Sequence, residues 1–155
     1  AIVRLPKNRK LAVQMGALLL TVLLTIGALV YGYSSNESDH KYHNDVTLAH
    51  EYVNYKEYDK AYELIEGYLK EEDAPEAYFL AGYIKYHQYD LKAAETYFLK
   101  AIEQQEVFPE AYYDIGLLYW QLGQIDKAKD YIQIAVYQEP DNEDYKATLN
   151  ELDSE

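Results

Sequence analysis

AYFLAGYIKYHQYDLKAAETYFLKAI, residues 77–102, returns in altered form as AYYDIGLLYWQLGQIDKAKDYIQIAV, residues 111–136. The copies lie 34 residues apart, and the small residues keep their places: Gly82 corresponds to Gly116, Ala94 to Ala128 and Ala101 to Ala135. The bulky residues keep theirs as well, with apolar side chains recurring at helical spacing.

Working outward, three units superpose. The second covers 75–108 and the third 109–142, each 34 residues long; the first, 42–74, is one residue shorter. Ala49 precedes Gly82 by 33 residues and Ala61 precedes Ala94 by the same interval, so the deletion falls near Glu71 to Ala74. The pattern resembles the tetratricopeptide repeat family, whose 34-residue helix–turn–helix unit has a small residue at its eighth place and alanine at its twentieth. Those places hold Ala49, Gly82 and Gly116, then Ala61, Ala94 and Ala128. The large residue at the twenty-fourth is Ile65, Phe98 and Ile132. The first unit departs at the twenty-seventh, where Tyr68 stands against Ala101 and Ala135, and only the third unit ends with the family's proline, Pro140.

The resemblance implies an all-α fold: a right-handed α-hairpin solenoid of three units over 42–142. Two helices of a hairpin approach closely only where facing residues are small, which places Gly82 and Ala94 at the tight crossing. Phe98 is then expected to fill the space between successive hairpins. No hairpin buries its apolar faces alone, so the units need one another. Residues 143–155 supply a capping helix and tail, with Tyr145, Leu149 and Leu152 on one face.

The N-terminal part is of another kind. Residues 11–31 carry no charged side chain, and 21 helical residues reach about 31 Å at 1.5 Å each, the thickness of a hydrocarbon core. Residues 1–10 form a basic flank with Arg4, Lys7, Arg9 and Lys10, and 32–41 read as a short polar linker. The positive-inside rule predicts a cytoplasmic N-terminus and an exported repeat domain, facing a bacterial periplasm or the cell exterior. Tyr31 and Tyr33 stand where an interfacial aromatic belt falls. The competing reading is a cleaved signal peptide, but the apolar run exceeds the usual signal core of about 7–15 residues. Ala12/Gly16 and Ala28/Gly32 form small-xxx-small pairs that permit close packing with a partner helix.

Beyond the anchor the chain carries ten basic against 27 acidic residues, a net of −17, which excludes a nucleic-acid or anionic lipid partner for the domain itself. The absence of cysteine removes disulfide, thiolate-zinc and thiol chemistry. His40, His43, His50 and His87 are the histidines; His40 and His43 with Asp39 fall in or beside the linker and read as solvated rather than as metal ligands. No phosphate loop, nucleophile elbow or zinc motif is present. The expectation is a non-enzyme with no catalytic residue, metal or cofactor.

Binding is the remaining class. On the first helix of the second unit Phe79, Tyr83 and Tyr86 share a face, as do Tyr113, Leu117 and Trp120 in the third; Val46, His50 and Val53 are their counterparts in the first. In the family this face lines the concave groove, so the resemblance implies a protein-binding site at Phe79, Tyr83, Tyr86, Tyr113, Leu117 and Trp120. Tyrosine and tryptophan are common sources of interface energy. Large apolar residues at helical spacing also serve packing, against the capping helix among others. The family's basic clamp for a C-terminal carboxylate has no match: Val46, His50, Leu80, Glu110 and Asp114 occupy its places. The expected partner is a basic or amphipathic protein segment, or a neighbouring membrane subunit. Two roles follow: a membrane-anchored scaffold or assembly factor for membrane or exported proteins, or a permanent accessory subunit of a larger membrane complex. A cytoplasmic domain, as in some organelle import receptors, is disfavoured by the charges flanking the anchor.

Overall fold

The computed structural model describes residues 7–70 and 73–154, with side chains from residue 15 onward. Arg4 of the basic flank and Glu71 and Glu72, beside the expected deletion, lie outside the described residues. Seven α-helices follow one another among the described residues: α1 Lys7–Asn54, α2 Tyr58–Ile65, α3 Pro75–His87, α4 Leu91–Gln104, α5 Pro109–Gln121, α6 Ile125–Gln138 and α7 Glu143–Asp153. A 3₁₀ turn, Tyr68–Lys70, sits between α2 and α3. The chain divides into two compact units, 1–43 and 44–155.

In the first unit the apolar stretch of α1 is exposed from Met15 onward, and among the described residues it is the helix long and apolar enough to cross a membrane. Thr21 Oγ1 donates to the Leu18 carbonyl at 2.8 Å and Thr25 Oγ1 to that of Val22 at 2.9 Å, which removes the polar cost of both hydroxyls within the helix itself. Residues 32–41, read as a linker, are helical and continue α1 without a break.

The second unit is built from helix pairs. Pro75 and Pro109 open α3 and α5, where a missing N–H costs nothing and the ring presets the backbone. Asp90 caps α4 by accepting from Ala93 N at 3.2 Å, and the Asn142 side chain caps α7. Each pair turns through a residue with left-handed backbone: Lys56 at φ 60°, Tyr89 at 62° and Gly123 at 71°. The turns share one closure. Tyr89 N donates to Tyr86 O and Asp90 N to Lys85 O, while Gly123 N donates to Trp120 O and Gln124 N to Tyr119 O. This is the Schellman ending, which satisfies carbonyls that the last helical turn leaves open.

Packing explains the repeat period. A Cβ on Gly82 would meet the Phe98 ring at 2.5 Å, and one on Gly116 would run into Ile132 and the Ala128 carbonyl. The close approach is therefore between the eighth-place glycine and the large residue of its own hairpin. Phe98, expected between hairpins, lies inside its own, its ring centroid also 6.0 Å from that of Phe79 on α3. Ala49, Ala61 and Ile65 are fully buried like their later counterparts, so the end of α1 and α2 occupy the places of a first pair. Glutamines clamp the units: Gln104 Oε1 accepts from Ala74 N at 2.9 Å, and Gln138 Oε1 from Phe108 N at 3.0 Å. Gln138 Nε2 also donates to the Glu106 carbonyl at 2.8 Å. Tyr145 and Leu152 of α7 are buried and Leu149 packs on the same core, which covers the end of the stack.

Candidate functional site

A half-buried aromatic face comes from α3 and α5. Tyr86 of α3 and Leu117, Trp120 and Gln121 of α5 line an open hollow of about 270 Å³. Three of the six predicted binding residues thus meet in one place. Tyr83 is half-buried one turn back on α3, its ring 4.4 Å from His87. His87 also lies parallel to Tyr58 of α2 at 5.7 Å and edge-on to Tyr86 at 5.4 Å.

The other two predicted residues are engaged elsewhere. Phe79 is only 9% exposed, with Phe108 at 5.0 Å and Phe98 at 6.0 Å, so its ring belongs to the core. Tyr113 stacks on Tyr145 of α7 at 4.5 Å, and its hydroxyl is 3.0 Å from Thr148 Oγ1. Both sit at the same place in their units, nearer the helix start, where the neighbouring helix closes over the face.

The electrostatics centre on Asp114, one helical turn after Glu110 on α5. Asp114 is half-buried. Burial, reinforced by the Glu110 charge, pushes its pKa up to about 7. It accepts no hydrogen bond from any described residue and pairs with no described cation. Tyr83 and Tyr86 have hydroxyl pKa values raised first by burial and then by Asp114. Tyr145 is raised in the same way, by burial and then by Glu110, Glu139 and Asp114. Glu76 and Glu110 both act on His50 of α1. The sequence shows Asp114 as one acid among many.

Among the described residues no three histidine, cysteine, aspartate or glutamate side chains converge as metal ligands.

A tetratricopeptide repeat model matches residues 75–107 and 109–142. No curated protein sequence matches the chain. Among solved structures, the chain is similar to MamA at 21% identity and a TM-score of 0.65, covering 72% of this chain and 66%, just under two thirds, of that one. It is similar to the first TPR of Spaghetti (RPAP3) bound to an HSP90 peptide, at 16% identity and a TM-score of 0.68 over 74% and 92% of the two chains. The Yersinia enterocolitica type III secretion chaperone SycD, in complex with a peptide of the translocator YopD, matches at 13% identity and a TM-score of 0.59 over 72% and 86%. At these identities the likeness is one of fold alone.

Proposed function

We propose that this chain, whose residues 75–107 and 109–142 match a tetratricopeptide repeat model, is a membrane-anchored interaction module of that family that docks a segment of a membrane or exported protein. The observation that carries the reading is the convergence of Tyr86, Leu117 and Trp120 on one open hollow between two successive repeats. Tyr83 extends that surface, whereas Phe79 and Tyr113 support it from within. Three units stack as a right-handed solenoid closed by α7. The apolar stretch of α1 is the anchor, with the basic flank on the cytoplasmic side and the repeats exported. A module tethered through so few residues meets membrane partners at raised effective concentration.

Two of the structural neighbours, RPAP3 and SycD, are bound to peptides, which favours a segment as the ligand. The acidic groove lacks any clamp for a C-terminal carboxylate, so the docked segment is basic or amphipathic. An assembly factor leaves this groove free at rest; the alternative, a permanent accessory subunit, keeps it filled.

Copurification of the full chain from native membranes separates the two. A partner at a fixed ratio that survives Tyr86→Ala/Trp120→Ala marks a permanent subunit held by other surfaces. Substoichiometric partners lost in that variant mark groove-borne assembly. If the variant changes nothing and no partner is at a fixed ratio, the groove has no such role. Orientation is read from single cysteines at Ser35 and Asn8, since the chain has none of its own; labelling of Ser35 from the cytoplasm would reverse the topology.

A further inference from the structure

The hollow between the second and third repeats lies where two helices end. Tyr86 stands one residue before the last of α3, and Trp120 and Gln121 are the last two of α5. Helix C-termini carry a partial negative charge that favours a cation nearby. The last turn of α5 holds no basic residue. That of α3 holds Lys85 and His87, and both are engaged by α2. The Lys85 ammonium lies 4.7 Å from the Tyr62 ring centroid, and the His87 ring is parallel to that of Tyr58 at 5.7 Å.

The rings of the hollow are of the kind that attracts cations. Elsewhere the chain covers such rings with its own lysines: Lys60 sits over Tyr52 at 5.4 Å, Lys100 over Tyr78 at 5.2 Å and Lys127 over Tyr119 at 4.8 Å. No described lysine lies over Tyr86 or Trp120. Tryptophan offers the best of the aromatic faces for this interaction. Leu117 supplies an apolar wall for the stem of a long basic side chain, and Gln121 a carbonyl oxygen that accepts from its head. An apolar occupant would fill the same walls but leave the two helix ends, and the net −17 beyond the anchor, without a counterpart.

We propose that the hollow is a cation–π seat that takes one arginine side chain of the docked segment, its guanidinium against Trp120 and Tyr86 and its methylenes along Leu117. Arginine fits before lysine because its planar head stacks on rings and is more weakly hydrated. The inference rests on the groove reading above and names the side chain that fills the groove.

Trp120 is the only tryptophan of the chain, so growth on fluorinated tryptophans alters that ring alone. Each fluorine draws electron density from the ring face and weakens its pull on a cation, with little change of shape. The probes are a labelled short peptide of alanine, leucine and arginine, its citrulline twin with a neutral urea for each guanidinium, and a norleucine version. Binding to the full chain in zwitterionic nanodiscs is read by fluorescence anisotropy, with empty nanodiscs subtracted. The arginine peptide is expected to bind about fivefold tighter than the twin. That ratio falls stepwise with each added fluorine, while affinity for the twin and the thermal midpoint stay level. Tyr86→Leu and Trp120→Leu keep an apolar wall and lower the ratio, whereas Tyr137→Leu, at an exposed place on α6, leaves it unchanged.

A ratio indifferent to fluorination overturns the cation seat and leaves the groove reading standing, since long-range charge then accounts for the preference. Tighter binding of the norleucine peptide than of the arginine one does the same and marks an apolar seat. If none of the three peptides binds, or if all bind Tyr86→Leu and Trp120→Leu as they bind the native chain, the groove reading falls and this inference with it.

Discussion

Gly82 and Phe98 occupy one space: a single carbon added to the glycine would sit 2.5 Å from the ring of the phenylalanine. Gly82→Ala gains roughly 1 kcal/mol of helix propensity but forces a stiff ring to move inside a closed hairpin, which costs about 1–3 kcal/mol. Overpacking wins, and a net loss of stability is expected in denaturant titration. Gly82→Ala combined with Phe98→Leu should recover part of the loss, because the first unit carries a smaller pair, Ala49 and Ile65, at the same places. Equal loss in the single and double variants would show that the ring is not the obstacle.

The hairpin turns offer a gain instead. Tyr89 holds φ at 62°, a region that disfavours residues with a Cβ, while Gly123 fills the equivalent place in the third unit. Tyr89 is also 80% exposed, so little packing is lost with its ring. Tyr89→Gly should stabilise the fold by about 1 kcal/mol, read as a rise in thermal midpoint. A fall in midpoint would mean that the ring contributes more than the backbone strain removes.

Gln104 and Gln138 repeat one interaction across two units, each accepting from the residue that precedes the next proline-led helix. Gln138→Ala strips the Phe108 N–H and the Glu106 carbonyl of partners at once and should cost about 1–2 kcal/mol. Gln104→Ala strips the Ala74 N–H of its partner in the same way and should also destabilise the fold, by about 1–2 kcal/mol. Amide hydrogen exchange at Phe108, measured in both proteins, checks the cause: protection there should fall in Gln138→Ala alone.

How much of this was legible beforehand follows from how local each cause is. The repeat period is written in Gly82, Ala94, Ala101 and their partners, because a tight helix crossing is a matter of residue size at fixed spacing. The capping face of Tyr145, Leu149 and Leu152 was legible for the same reason. The helical state of 32–41 was not, since a polar run lacks the apolar periodicity that marks a helix. The binding face was half legible. Spacing puts Phe79, Tyr83 and Tyr86 on one stripe, but only assembly shows that α4 and the Phe108 ring close over Phe79 and that α7 takes Tyr113.

Stability should depend on pH through Asp114. Its pKa stands at about 7 in the folded chain against an ordinary carboxyl value of 3.8. Below the ordinary value the group is neutral in both states and its contribution to stability is whole. As pH rises toward 7 the unfolded chain releases this proton first, so stability falls across that window and then levels. The groups that act on it or feel its charge are Glu110 on α5, Tyr83 and Tyr86 on α3, and Tyr145 on α7, and burial raises the three hydroxyls further from that window. Asp114→Asn should therefore match the native chain near pH 4 and exceed it above pH 7 by on the order of 1–4 kcal/mol. Parallel profiles for the two proteins would show that the carboxyl is solvated.

Site-specific photo-crosslinking in native membranes tests the groove most directly, with probes placed singly at Tyr86 and Trp120 and a control at Tyr137, which is 85% exposed on α6. The expected result is a protein adduct at both groove positions that is absent at Tyr137 and lost when the opposite groove residue is changed to alanine. Adducts of equal yield at all three positions, or none at Tyr86 and Trp120, would contradict a partner seated between the second and third repeats.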